Sequence, residues 1–511
     1  MTTARWNTLL ALLVVFTAAR VMTTHRVFNQ TSDEPHHLAS GYDFLTKGMY
    51  FDPEHPPLAR VFFALPFLGT AEPAGTDARD RGNALLLRND RYTQNLGRAR
   101  LGNLIFLALG IIAVALWARH LFSPAAGLLA ALLYASIPPV LAHAGFATTD
   151  MAGAALFSLA VYAATLFLED PTWKRTLLLG LAIAAGLLAK YSFVLYFPAA
   201  MLMLVLMRRR LPILRLLIAA VIAFVLVWAT FGFSIGTLQS VDQESVKKAT
   251  DVFGLPRLAT IPLPAPRFVN GVLVVANHDH YGHPAFLFGE KRWSGWWYYF
   301  PVALFFKTPI PFLLLALAGC VLLVKRKPEI VLIAAAILGV AMTSHLNIGV
   351  RHVLPIYAPL AIAAAYAAVE LRRIRAISIA LIAWMLISVA AAHPDYLPWF
   401  NFAAGRHPEK ILNDSNLDWG QDVLRLVRTA RRMRIPRMTV SLFTTSDLGR
   451  IGLPPNEILQ AESEVHGWLA ISEMHIALGR AYSPEVRVWL DKLLDRPYTR
   501  IGKSIRLYYI P

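Results

Sequence analysis

Apolar runs long enough to cross a bilayer recur from the start of the chain to about residue 392. Each crossing needs roughly 20 residues as a helix, and counting by apolar length gives about eleven. They fall near residues 6–22, 101–117, 125–141, 151–168, 176–189, 193–207, 216–233, 298–324, 330–343, 353–369 and 376–392. In hydrocarbon no water is present to satisfy the backbone, so such spans must be helices. The predicted fold class is therefore mainly α, a polytopic membrane protein. Composition agrees: 16% of residues are charged, against about 25% in an ordinary soluble protein. The first apolar run is expected to be an uncleaved span rather than a signal peptide, since more spans follow it.

The formal charge is +17. In a soluble protein that excess would point to nucleic acid. Here the basic residues cluster between apolar runs, in "MRRRLPILR", "VKRKPE" and "LRRIR". That is the positive-inside pattern, so the charge reports orientation and no nucleic-acid partner is expected. Arg5, Arg119, Lys174, Arg175, 208–210, 325–327 and 372–375 occupy alternate loops, predicted to be cytoplasmic. The opposite face then collects Asp33, Asp150, Lys190, the segment 234–297, Arg351 and everything after residue 392. The single cysteine, Cys320, excludes an intrachain disulfide. Two parts are expected: a membrane part, 1–392, with a first outer loop at 25–100, and a soluble α/β domain at 393–511.

That outer loop is dense in ionisable groups. "SDEPHHLASGYDFL" opens like a helix, with a Ser or Asp cap, acids in the first turn and Pro35 early. "EHPPLARVFFALPFL" repeats the pattern. Both are predicted to be amphipathic helices lying along the membrane surface.

Asp33 and Glu34 are candidate catalytic carboxylates; the alternative is helix capping. Asp150, in "HAGFATTDMAGAALF", poses the same choice at the mouth of a span. His36, His37, His55 and His143 share this side of the membrane, and histidines with carboxylates can hold a divalent metal, although no ligand spacing is recognisable. Lys190, Lys307 and Arg351 interrupt apolar sequence. Cations at a lipid boundary either snorkel to the interface or meet an anionic group such as a lipid phosphate. The aromatic run "GEKRWSGWWYYFP" suits either an interfacial belt or sugar stacking. "NDSNLDWGQD", 413–422, fails the calcium-loop pattern, with Trp419 at the glycine position, and is expected to be a turn into a helix.

In this order, a first span, an outer Asp-Glu, "HPPL", "GLLAKYS" and "VRHVLPIYAPLAI", the chain resembles the polyprenyl-phosphate-sugar-dependent GT-C glycosyltransferases. That group includes protein O-mannosyltransferases and the aminoarabinose transferases that modify lipid A. "GWWYYFPVALFFKTP" and "NDSNLDWGQD" resemble a bacterial branch with a C-terminal periplasmic domain. The resemblance implies an inverting transfer at the outer face of the inner membrane. The donor is a sugar on a polyprenyl phosphate, and the acceptor a hydroxyl of a protein, lipid or glycan. It implies Asp33 as base, Asp150 orienting the acceptor or a metal, and Lys190 and Arg351 on the phosphate. His55 falls where relatives often carry a Lys, His or Asp before Pro-Pro, which leaves a phosphate or a metal role open, and Lys307 joins the cationic set. A transporter or flippase is the main competing reading, but such proteins show repeated halves and midplane charges, and no internal repeat is visible. An inactive receptor, or a ligase with a diphosphate donor, shares the topology.

Overall fold

The computed structural model describes the chain except for residues 50–51, 209–210, 372–374, 460–464 and 480–483. Arg209, Arg210, Arg372 and Arg373, members of two predicted cytoplasmic clusters, lie outside the described residues.

Helices dominate up to residue 391, and many leave large apolar side chains uncovered. Leu214, Val321 and Ile387 are among the most exposed. A soluble monomer does not present apolar surface on this scale, whereas lipid covers it at no cost. Among the described residues, five helices are long and apolar enough to cross a membrane, or up to seven if each of two bent pairs is one span. Four other predicted spans fall on helices of 14 to 17 residues, Trp173–Ala189, Phe193–Leu206, Pro328–Ala341 and Arg375–Ala391. At the centre, Thr149–Glu169 and Tyr357–Glu370 are buried along most of their length. Their alanines let neighbouring backbones approach, which is how helices associate without a hydrophobic driving force.

The two bent pairs are where proline predicts breaks. Pro124–Tyr134 and Pro138–Ala144 meet at 69°, and Tyr299–Lys307 and Ile310–Leu323 at 119°. Proline removes a helix donor and clashes with the preceding turn.

The first outer loop folds as predicted into Glu34–Lys47 and Pro57–Ala64. Its placement differs from the expectation of a lipid surface. Glu34–Lys47 buries polar residues on several faces, including His37, Ser40 and Asp43. A Cβ on Gly41 would meet the Arg60 carbonyl at 2.1 Å, and one on Gly82 the Pro35 carbonyl at 2.1 Å. Only glycine permits that approach, so the helix is clamped between Pro57–Ala64 and Ala78–Leu86. This clamp fixes the position of Asp33 at its start.

The C-terminal region contains a small mixed sheet. Its strand order is Asn456–Ile458, Met438–Ser441, Gly467–Ser472, Ile505–Ile510, Thr499–Ile501. The first two pairings are parallel and the last two antiparallel. Val423–Arg432 is the helix expected after the 413–422 turn.

Candidate functional site

A cavity of about 650 Å³ opens where the outer loop, several helix ends and the 413–422 turn converge. Asp33, Glu54, His55, Lys190, Arg351 and Asp414 supply charged and polar wall, and Val194, Leu195, Val272, Val275 and Val340 supply apolar wall. Five sequence-predicted residues, Asp33, Asp150, Lys190, Arg351 and His55, therefore meet at or just behind one wall.

Asp33 occupies the N-cap position of Glu34–Lys47, but its side chain makes no capping hydrogen bond. Instead Arg351 Nη1 donates to Asp33 Oδ2 at 3.0 Å, and the carboxylate keeps 32% exposure. The capping alternative thus fails for Asp33, whose oxygens face the cavity. Arg351 also lies 3.8 Å from Asp150 and sits over the Trp419 ring, 4.3 Å from its centre. Its buried Nε has no hydrogen-bond partner among the described residues.

Lys190 ends the helix Trp173–Ala189 in extended backbone, which swings its side chain onto Asp150. Asp150 accepts from Lys190 and from Thr148 Oγ1, and lies 3.7 Å from His143 Nδ1. It is almost fully buried and does not line the cavity. Asp150, expected to orient the acceptor or a metal, meets Lys190 and Arg351 from behind the wall.

Glu34 also departs from its catalytic expectation. It is 1% exposed and forms a bidentate pair with Arg100, at 2.7 and 2.8 Å. The N–H groups of Ala147 and Thr31 take its remaining acceptor sites, each at 2.8 Å. No lone pair is left for a substrate. Its work is to tie the outer loop to the helix Tyr92–Leu121.

Lys307 is a further correction. Its ammonium, 1% exposed, donates to the carbonyls of Leu397 and Asn416 at 2.7 Å and to that of Trp399. All three donors are used, and it does not line the cavity. It anchors the start of the C-terminal region instead of a phosphate.

His55 does line the cavity, with Nδ1 3.2 Å from Thr149 Oγ1. Burial, then the nearby Arg60 and Lys190 charges, hold its value well below the ordinary histidine range, so it is neutral. At the cavity wall its ring can offer a phosphate a hydrogen bond. Arg60 fixes the loop around it by donating to the His55 carbonyl at 3.0 Å and pairing with Asp52.

The metal expectation at His36 and His37 does not fit. His37 Nδ1 accepts from Arg60 Nε at 3.1 Å, and a guanidinium beside the ring opposes a cation. Its value is pushed well below normal by burial, His55 and Arg60. His36 instead feels Asp77. Among the described residues no three His, Cys, Asp or Glu side chains converge as a ligand set.

Four wall features escape the sequence reading. Glu54 lies beside Asp33, and burial with the Asp52 and Asp33 charges raises its carboxyl above the ordinary value. Asp414 and Trp419 come from the stretch read as a plain turn. His278 and His283, 3.3 Å apart, also line the cavity, where burial and His278 bring His283 down to about 4. The dense run "NHDHYGHP" was the available signal for these histidines, and the acid directly before His55 was the signal for Glu54.

Comparison with known proteins places this geometry. The family model for dolichyl-phosphate-mannose-protein mannosyltransferase matches residues 93–231. A search of curated protein sequences gave no match. Among solved structures, ArnT from Cupriavidus metallidurans bound to undecaprenyl phosphate superposes with a TM-score of 0.54 at 13% identity, over 99% of this chain and 98% of that one. The apo form of the same protein gives 0.53 at 14% identity, over 97% of each chain. The chain thus has an ArnT-like fold, with a small sheet domain at the C-terminus.

Proposed function

We propose that the chain is an integral-membrane glycosyltransferase that moves a hexosyl or pentosyl group from a polyprenyl-phosphate carrier to an acceptor hydroxyl with inversion. The observation that carries this reading is one cavity joining a solvent-open carboxylate, two cations and an apolar wall. The ArnT of the same fold is described as bound to undecaprenyl phosphate, which supports a lipid-phosphate ligand here.

The phosphate would sit on Lys190 and Arg351, both of which line the cavity. The apolar wall of Val194, Leu195, Val272, Val275 and Val340 would take the first isoprene units. Before the donor arrives, Arg351 holds Asp33. The donor's phosphodiester, which carries one negative charge, competes for Arg351 and leaves the Asp33 carboxylate free to accept a proton. Asp33 then takes the acceptor's hydroxyl proton as that oxygen attacks the anomeric carbon. The bond from that carbon to the phosphate oxygen breaks, and its electron pair leaves on the phosphate. One displacement inverts the centre. A phosphate monoester has its last pKa near about 6, so it departs without a general acid if cations hold its charge. Asp150 keeps both cations aimed, and Glu54 borders the space the acceptor would enter.

The orientation follows from charge. Asp33, Lys190 and Arg351 come from segments opposite the basic clusters, which supports an orientation with the cavity and residues 393–511 on the periplasmic side of an inner membrane. Residues 1–392 form the catalytic membrane part, and the acceptor is a protein, lipid or glycan hydroxyl reached from that side.

The test is transfer of radiolabelled sugar from a panel of polyprenyl-phosphate sugars, using membranes containing wild type or Asp33→Asn. Donor-dependent product that is lost in the variant supports the reading. Equal labelling in both removes Asp33 as base, and no turnover with any donor removes the transferase reading.

A further inference from the structure

The turn at 413–422 is the only part of the sheet-bearing C-terminal region, besides Phe443, whose described residues line the cavity. Most of its polar side chains are consumed within the protein. Asn416 Oδ1 accepts from Val350 N at 3.0 Å and its Nδ2 donates to Tyr299 Oη at 2.9 Å. Ser415 donates to the Ile348 carbonyl, and Asp422 accepts from Lys503 N and Ser504. These bonds pin the turn to both halves of the molecule.

Asp414 stands apart from them. It is 9% exposed, and its backbone lies in the left-handed region at φ +57°. One carboxylate oxygen accepts from Ser415 N at 2.5 Å. Ser415 is the carboxylate's one hydrogen-bond partner among the described residues, and Arg351 forms ion pairs with Asp33 and Asp150 but not with Asp414. Burial pushes this carboxyl up to about 6, against the opposing pull of Arg351. A carboxylate at a cavity wall, held on a left-handed backbone with donors from a single neighbouring residue, is costly, and such combinations concentrate at sites that handle ligands.

The position narrows the ligand. Asp414 is close enough to Arg351 and Asp33 to feel both charges. If the phosphate rests on Lys190 and Arg351 and the base is Asp33, the transferred sugar must lie between them. A carboxylate bordering that space repels phosphate and accepts from hydroxyl groups. Resting on the function proposed above, we infer that Asp414 is a specificity-determining residue that accepts a hydrogen bond from one hydroxyl of the transferred sugar.

The test uses the polyprenyl-phosphate sugar that wild type turns over best, with its monodeoxy analogues, on full-length wild type, Asp414→Asn and Asp414→Ala. A site built around a hydroxyl rejects the analogue lacking it by orders of magnitude. Wild type is expected to discriminate at least ~100-fold against one analogue, and Asp414→Ala to shrink that ratio to within ~10-fold. Undecaprenyl-phosphate affinity, measured directly, is expected to stay the same in all three, which also reports a folded site. A uniform loss across the series with weakened undecaprenyl-phosphate binding would overturn the inference and assign Asp414 to orienting Arg351. Retained discrimination in Asp414→Ala overturns it too. Absence of turnover by wild type with every donor defeats the transferase reading itself, and the inference with it.

Discussion

Two acid-rich stretches border the same cavity, residues 33–34 and 413–422. In each, one carboxylate faces the cavity, Asp33 or Asp414, while its neighbours are buried. The stretches differ in how the buried acids are compensated. Glu34 meets a full counter-charge, with both oxygens on the Arg100 guanidinium. Asp418 meets backbone N–H groups, those of Gly420 and Met474 at 3.1 and 2.9 Å. Hydrogen bonds from amides offset less of the cost of burying a charge than a cation does. Burial accordingly pushes Asp418 up to about 7. Adjacent acids in sequence therefore say little about role; the partner that tertiary folding delivers decides whether a carboxylate is a clamp, a titrating group or a reactive one.

The largest effect is expected where the compensation is a complete ion pair. Glu34→Gln leaves Arg100 buried without its counter-charge, a loss of about 3–5 kcal/mol. Thermal unfolding in detergent should show a collapse of the folded fraction. A normal melting curve would break the contrast, since Glu34 would then not be a clamp.

Next is the neighbouring Asp33→Asn. Transfer should fall ~10²–10⁴-fold, the usual worth of a general base. Its ion pair is partly solvent-open, so stability should move by no more than about 1 kcal/mol. Activity and melting measured on the same preparation separate the two acids. Joint loss of both quantities would erase the distinction between them.

The two lysines sharpen the same point. Lys190→Gln removes one charge-assisted contact to phosphate, worth about 1.5–3 kcal/mol, and should weaken undecaprenyl-phosphate binding by roughly ten- to hundredfold. Lys307→Gln should leave that affinity unchanged in whatever fraction folds, because the ammonium is spent on backbone carbonyls. Equal losses of affinity would place Lys307 back among the phosphate ligands.

The smallest effect lies in the C-terminal turn. Asp418 carries a raised value in the folded state, so its contribution to stability is full below roughly pH 4 and is lost as pH rises through about 7. Melting temperature should therefore drop between about pH 5 and about pH 8, with a shallower drop in Asp418→Asn. Asp422 is raised as well, so some slope should persist in the variant. Identical slopes in the two proteins would deny Asp418 its share.

Much of this molecule is legible without its structure. Apolar length and the positive-inside pattern are local and additive along the chain, so the membrane fold could be read directly from them. Proline placement foretold both broken helices, and the capping pattern before Leu38 foretold the helix Glu34–Lys47. Lys190 and Arg351 could be named as candidates because charge in apolar sequence is rare and must be accounted for, and Asp33 and His55 because they sit in an ionisable loop beside the first span.

Tertiary structure decided the roles, because role depends on which partner folding delivers. Arg100, 66 residues beyond Glu34, turned that acid into a clamp. Carbonyls some 90 to 109 residues away consumed Lys307. Asp150 was drawn behind its cations, and Asp414 was carried from the far end of the chain to the cavity wall. A sequence fixes which groups are ionisable and which segments must be helical, since both follow from nearby residues. It leaves open which buried charge is neutralised and which faces a substrate, since burial and counter-charge are set by chain segments that meet only once the whole protein has packed.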